Sequence, residues 1–193
     1  SAPTPSQPVS LWPLVMGTDE SVPSSFRDPS GFLFHREGRL YRQVNDVYRA
    51  DYKQFMESGL YRDLTEQGLL VPHEETSEPQ MSGGGSMVIQ PETIPFISYA
   101  YEWCFSQLQD AALATLSIQK KAIEHGMSLK DASVYNIQFR GSRPVLIDTL
   151  SFERYREGEP WVAYRQFCQH FLAPLALMSH TDVRLNQLLR AYI

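Results

Sequence analysis

Two spacings of apolar residues run through this chain, one strand-like and one helical, and the change between them sets out its elements. Residues 31–44, GFLFHREGRLYRQV, hold two aromatic and aliphatic runs around the turn signal REGR, which predicts a β-hairpin. NDVYRADYKQFMESGLYRDLTEQG then changes to helical spacing. It predicts two helices parted at Ser58-Gly59, the first beginning with Val47, Tyr48, Ala50 and Asp51 and the second capped by Gly68. LLVPH reads as a short strand or edge segment, and MVIQPETIPF as an extended stretch punctuated by Pro91 and Pro95. The clearest helix is YEWCFSQLQDAALATLSIQKKAIEHG, with Phe105, Leu108, Ala112, Leu116 and Ile123 on one face and Gly126 as its stop. NIQF and PVLID predict a second hairpin across the tight turn RGSR. PWVAYRQFCQHFLAPLALM predicts another long helix, with Trp161, Tyr164, Cys168, Phe171 and Leu175 inward and a kink or break at Pro174. DVRLNQLLRAYI predicts a last helix, apolar along Leu185, Leu188, Leu189 and Tyr192.

The segments between these elements mark the organisation. Residues 1–25 carry Pro3, Pro5, Pro8, Pro13 and Pro23, a spacing that forbids a regular helix, so an extended or disordered lead-in is expected, with LWPLV as an apolar patch able to pin it to the body. The fold proper is expected to start near Phe26. PHEETSEPQMSGGGSM is polar, acidic and glycine-rich and reads as a mobile loop. Its SGGGS core reads as a flexible linker, because a phosphate-cradling loop needs a strand before it and a helix after it. The expected partition is a β-rich front part over residues 26–98 and a mainly helical back part over 99–193. The last helical pattern runs to the final residue without a stop signal, which reads as a fragment of a longer protein with a further domain after Ile193.

Composition narrows the function classes. The 193 residues are 42% hydrophobic and 20% charged, as in ordinary globular proteins. A net charge of -5 disfavours a nucleic-acid-wrapping role. No apolar run reaches the ~20 residues of a membrane span, and no secretory signal opens the chain. Cys104 and Cys168 form no CxxC pair and fit a reducing cytoplasm, both as small core residues. His35, His73, His125, His170 and His180 are scattered, and no ligand spacing is tight enough for zinc, even with Cys168 near His170. Nothing has the pattern of a Ser-His-Asp hydrolase or of a lone activated cysteine.

The stretch SLKDASVYNIQFRGSRPVLIDTLSFE carries the chemistry. Its hairpin sets Asn136, at the start of one strand, beside Asp148, at the end of the other, with Asp131 a loop away, so that all three converge at one end. Oxygen ligands on rigid strand ends suit Mg²⁺, which completes its shell with phosphate and water. A third carboxylate nearby suits a base for an attacking hydroxyl. Each residue alone has a plainer reading. Ser128-x-x-Asp131 resembles a helix-capping pair, and Asn and Asp favour turns. The joint spacing favours the site. Arg140 and Arg143 read as solvated turn residues near it, and Trp103, in Glu102-Trp103-Cys104, as a packing residue.

The run from Asp131 through Asn136 to Asp148 resembles the catalytic segment of the protein-kinase-like superfamily, which includes the aminoglycoside and choline phosphotransferases. The resemblance implies that Asp131 positions the acceptor hydroxyl while Asn136 and Asp148 hold Mg²⁺ against ATP phosphates. It also implies that the long helix precedes the catalytic loop, that TIPFISYAYEW is an interlobe hinge, and that the helices after Trp161 form a rear lobe. The chain departs from the pattern in four places. Leu129 stands where the superfamily has a His, TLSFE follows Asp148 instead of Phe-Gly, no GxGxxG precedes the hairpin, and no strand lysine is evident. Arg42 is the nearest cation for the phosphates, with Glu57 as its expected helix partner.

SGLYRDL, PFISYAYEWCFSQL and the Asp131 stretch also resemble the front segments of nodulation-protein-like bacterial proteins of class I S-adenosylmethionine-dependent methyltransferase type. In such proteins the methyl-donor site belongs to a domain outside this chain. No strand followed by a glycine-rich turn and an acidic strand end occurs here. The expectation is therefore an α+β, kinase-like cytoplasmic domain that binds ATP and Mg²⁺ and transfers phosphate to a small hydroxylated substrate, ahead of a C-terminal methyltransferase domain. The alternative is a catalytically silent binding or scaffolding domain of that methyltransferase. A third reading is a helical interaction domain whose hairpin is purely structural.

Overall fold

The hairpin expected at residues 31–44 lies inside a five-stranded sheet. The structure, a computed structural model, describes residues 20–21, 28–81 and 85–190. The proline-rich lead-in with LWPLV, apart from Glu20 and Ser21, residues 82–84 of SGGGS and Tyr192 lie outside the described residues. Strands β2 (Gly31–Arg36) and β3 (Arg39–Asn45) pair antiparallel from Gly31↔Val44 to Arg36↔Arg39. Glu37 and Gly38 between them both take positive φ, 50° and 74°, the hand of turn that matches strand twist. β1 (Glu20–Ser21) pairs with β2, and β5 (Gly85–Pro91) lies between β3 and β4 (His73–Thr76), giving the order β1-β2-β3-β5-β4. Strand β4 corrects one expectation. HEET, read above as mobile loop, is an edge strand, and its charged residues suit an edge exposed to water.

α1 (Arg49–Glu57) and α2 (Leu60–Glu66) form as expected, parted at Ser58-Gly59, where Gly59 is left-handed with φ 84°. Gly68, at φ 69°, ends α2, and the Leu69 amide returns to the Leu64 carbonyl. One sheet face packs Val44 and Ile89 against Tyr48, Tyr52 and Leu150, while the other gathers Phe32, Phe34, Tyr41 and Val88. Arg42 lies on the first of these faces, two residues before Val44 and opposite Ile89.

The back part is built on α3 (Phe105–Glu124). Its inward face differs from the one expected. Leu108, Ala111, Ala112, Thr115, Ile118, Gln119 and Ala122 are buried, whereas Leu116 and Ile123 are each 43% exposed. The alanine-rich stripe lets neighbouring elements approach closely, with Leu108 and Ile118 beside it, while Leu116 and Ile123 turn outward. β6 (Met127–Leu129) pairs with β9 (Phe152–Arg154), and β7 (Ile137–Arg140) with β8 (Arg143–Leu146). The expected rear helix is divided into α4 (Tyr164–Phe167), a π-helical turn over Cys168–Leu172, and α5 (Ala173–His180). Pro174 has no N–H to give to the preceding turn, which widens there. Phe167, His170, Phe171 and Met178 take the inward positions, and Tyr164, expected inside, is 62% exposed. The last segment, Val183–Arg190, is a 3₁₀ helix with Leu189 buried. Cys168 is partly buried, but Cys104 is exposed at the start of α3, and both are free thiols. Among the described residues, no helix is long and apolar enough to cross a membrane. The chain is thus an α+β fold with a β-sheet front and a mainly helical back.

Candidate functional site

The β6–β9 pairing brings the two halves of the Asp131 stretch together. β6 ends at Leu129↔Phe152, and the Lys130 amide continues the ladder to the Ser151 carbonyl at 2.8 Å. At the open end of the β7–β8 hairpin, the Ile147 amide donates to the Asn136 carbonyl at 2.8 Å, which sets Asn136 beside Asp148. Ser151, 1% exposed, is their common neighbour. Besides the Lys130 amide, it meets the Asn136 side-chain amide through its hydroxyl at 3.4 Å and gives its own N–H to the Asp148 carbonyl at 3.4 Å.

Asp131 opens a tight loop, its Oδ1 accepting from the Ser133 amide at 2.9 Å. The rear elements hold that loop by its backbone. Trp161 Nε1 donates to the Leu129 carbonyl at 2.6 Å, Gln166 Oε1 accepts from the Ala132 amide at 2.7 Å, and His170 Nδ1 accepts from the Val134 amide at 3.2 Å. His170 must present a bare Nδ1 to do this, so it is the Nε2–H tautomer. Burial holds its pKa below the ordinary 6.5, with Asp131 opposing in part. Ser128 is not the cap its spacing resembles. It lies in β6 and bonds Gln119, while Ser133 caps the turn before β7.

Asp148 is tied twice through Oδ1, to the Leu150 amide at 2.9 Å and to Arg42 Nη1 at 2.6 Å. Arg42 crosses from the sheet, its side chain 8% exposed, and its Nη2 also reaches Asp28 Oδ2 at 3.2 Å. Its Nε is buried and has no hydrogen-bond partner among the described residues. Arg42 therefore does sit beside Asp148, but Glu57 does not pair with it. Glu57 lies on the exposed side of α1, 3.7 Å from Lys53. The reason is the register of β3, which aims Arg42 at the hairpin and leaves α1 to contribute Tyr48 and Tyr52 instead. Burial, and after it the charge of Asp148, raises the pKa of Tyr48, whose hydroxyl donates to the Phe152 carbonyl at 2.7 Å. Lys130 Nζ lies 4.5 Å above the Tyr48 ring and bonds Ser30 Oγ at 2.8 Å.

Other expected residues lie elsewhere. Arg140 and Arg143 flank the Gly141 turn at the opposite end of the hairpin, about 13 Å of strand away from Asn136. Arg140 pairs with Glu92 at 2.9 Å. Trp103 is 2% exposed, bonded to Ser98 Oγ and edge-on to Phe139, a packing role. Among the described residues, no group of three His, Cys, Asp or Glu is placed to hold a metal ion. A Mg²⁺ ion needs no such group, since one or two carboxylates with phosphate and water suffice. Asn136 Oδ1 and Asp148 Oδ2 accept no hydrogen bond from a described residue, so two hard oxygens at one strand end fit such an ion. The unpartnered Nε of Arg42 is a donor suited to a phosphate oxygen.

Sequence reasoning missed Asp28, Ser30, Lys130, Ser151, Gln166 and His170. Lys130 and Ser151 were in view inside the quoted stretch, and Asp28-Pro29-Ser30-Gly31 has turn composition. Gln166 and His170 carry no local signal, because their contacts span 34 and 36 residues.

No protein-family model matches the chain. Over 166 residues it is 39% identical to the nodulation protein NoeA of Rhizobium meliloti (strain 1021), a match that takes in 84% of this chain and 34% of NoeA. The chain thus spans about a third of the length of that relative. The solved structure of vaccinia related kinase 3 is similar over 76% of this chain and 54% of that chain, with 13% identity and a TM-score of 0.45.

Proposed function

We propose that this domain is kinase-like in function as well as layout and holds the phosphates of a nucleotide, ATP with Mg²⁺, in the seam between the sheet and the helical part. The observation that carries the reading is the meeting at one strand end of Asn136, Asp148 and the buried Arg42, with two side-chain oxygens and one buried N–H that no described residue meets. Asn136 and Asp148 would hold the ion, and Arg42 and Lys130 would meet phosphate oxygens. The ion would supply charge neutralisation for the phosphates. Asp131 would orient the hydroxyl of a small acceptor and take its proton. The loop bonds from Gln166 and His170 fix where Asp131 stands, which is the precondition for such a role. The chain is read as serving a downstream S-adenosylmethionine-dependent methyltransferase domain in a cytoplasmic protein. That part of the proposal is supported by the sequence resemblance, and the length of NoeA leaves room for a further domain.

A second reading is favoured by one distance. Asp148 already has a cationic partner in Arg42 at 2.6 Å, so the domain can also be a binding module that performs no transfer. Calorimetric titration with ATP in Mg²⁺ and in EDTA separates the two. The first reading expects binding that depends on Mg²⁺, a dependence lost in Asn136→Ala, and transfer to hydroxylated acceptors lost in Asp131→Ala while binding persists. Binding that is indifferent to Mg²⁺ favours the silent module. No binding at millimolar ATP rejects both nucleotide readings.

A further inference from the structure

Arg42 bridges two carboxylates that differ in exposure. The side chain of Asp148 is 15% exposed and is also bonded to a backbone amide, whereas that of Asp28 is 33% exposed. Asp28 uses its two oxygens for different tasks. Oδ1 accepts from the Ser30 amide at 2.8 Å and shapes the turn, and Oδ2 meets Arg42 at 3.2 Å. The turn it shapes covers the second cation of the seam as well, since Ser30 Oγ accepts from Lys130 Nζ at 2.8 Å. Asn45 fastens the same turn to β3, its side-chain amide donating to the Pro29 carbonyl at 3.0 Å and its backbone amide to the Ser30 carbonyl at 2.9 Å. Arg42, the partner of Asp148, and Lys130, next to Asp131 in the chain, are therefore both engaged by three consecutive residues, 28–30.

The engagement is incomplete. Arg42 presents five N–H donors in a planar fork, and its buried Nε has no acceptor. An unmet buried donor is costly; Nε–H shares an edge of the fork with the Nη2 that meets Asp28 Oδ2, but Asp28 Oδ1, which would complete that edge, is held by the Ser30 amide. A phosphate has more acceptor oxygens and carries more charge than a carboxylate, so it satisfies the same fork better.

We propose that Asp28 is a built-in stand-in for an anionic ligand, its carboxylate occupying on Arg42 the place of a phosphate anhydride, nucleotide-borne or inorganic, which must displace it to bind. The proposal rests on the nucleotide reading above and adds its regulation: the turn over residues 28–30 occupies both cations of the resting seam, and movement of Asp28 releases Arg42 and, through Ser30, Lys130. The removable partner is the more exposed carboxylate, while Asp148 stays as the fixed one.

Asp28→Asn tests this, because an amide keeps the oxygen that caps Ser30 and removes the charge that holds Arg42. Asp28→Ser, which also caps a turn, is the companion variant should the amide disturb folding, and thermal melts establish that each is folded. Calorimetric titration of both variants and the parent with Mg²⁺·ATP, and with sodium pyrophosphate alone, is the measurement. The proposal expects about five-fold tighter binding in the variants, the size of releasing one half-exposed ion pair. A gain with both ligands points to the anhydride itself, and a gain with Mg²⁺·ATP alone to a nucleotide. Parent-like or weaker affinity in the variants overturns the stand-in role and leaves the nucleotide reading intact. No binding to parent or variants overturns both.

Discussion

His73 makes a prediction whose size follows from the structure. The ring sits between Tyr52 and Tyr61, with centroids 5.9 and 4.5 Å away, at the start of β4. Tyr52 has one hydroxyl proton, which it donates to Glu75 Oε1 at 3.0 Å, so the 2.9 Å contact with His73 needs the proton on Nε2. Nδ1 is then a bare lone pair, buried and without a partner among the described residues. Protonating the ring would place a buried N–H there with no acceptor among the described residues. Burial accordingly pushes the His73 pKa from its ordinary 6.5 down to about 4.

Between those values the unfolded chain takes up a proton that the folded chain refuses. The stability held by the neutral ring is complete above pH 6.5 and is lost as the pH falls toward about 4. At ~1.4 kcal/mol per pH decade, that interval corresponds to about 3 kcal/mol, a large share of the 5–15 kcal/mol typical of a domain. The check is urea unfolding of the parent and of His73→Gln at half-unit steps from pH 4 to pH 8. Gln retains an amide donor for Tyr52 but does not titrate. The stability difference between the two is expected to swing by about 3 kcal/mol in favour of the parent between pH 4 and pH 6.5 and to stay level above it. Groups shared by both proteins, His170 among them, cancel in that difference. A difference that is flat across the whole range refutes the assignment of a buried neutral ring.

Two further outcomes follow from the seam. Arg42→Met leaves Asp148 in a largely buried position without its cation and should cost about 3 kcal/mol in urea unfolding, whereas Arg42→Met with Asp148→Leu should cost less than the single change; equal or larger loss in the double variant counts against a coupled pair. Gln166→Ala removes the acceptor of the Ala132 amide and should cost about 1 kcal/mol, with faster hydrogen exchange at Ala132 and unchanged exchange in β2 and β3; unchanged exchange at Ala132 would show that the rear elements do not hold the Asp131 loop.

The parts of this molecule that were legible in the sequence are those specified by near neighbours. The left-handed turn at Glu37-Gly38, the break at Ser58-Gly59, the Gly68 cap and the turn at Gly141 are all set within a few residues, and each was read correctly. The placing of Asn136 beside Asp148 was legible for the same reason, since one hairpin separates them. HEET was missed because charged residues at a sheet edge and charged residues in a loop have the same composition, and only pairing with β5 tells them apart. The face of α3 was misread because size was taken for burial. An alanine stripe packs closely against neighbours, and the larger Leu116 and Ile123 stay outside.

Arg42 shows the limit of local reading most directly. Its place on β3 was legible, and its partner was not, since α1 and the end of β8 compete for the same guanidinium and only the tertiary arrangement chooses. The choice has a chemical reason. A planar fork can serve two carboxylates on different edges at once, which a lysine's point charge cannot do with comparable geometry. Arg42 spans Asp28 on the turn before β2 and Asp148 after β8, and so links the sheet part to the hairpin through one buried cation. With a lysine there, one of the two links would be lost, and with it the coupling between the 28–30 turn and the strand end that carries Asn136 and Asp148.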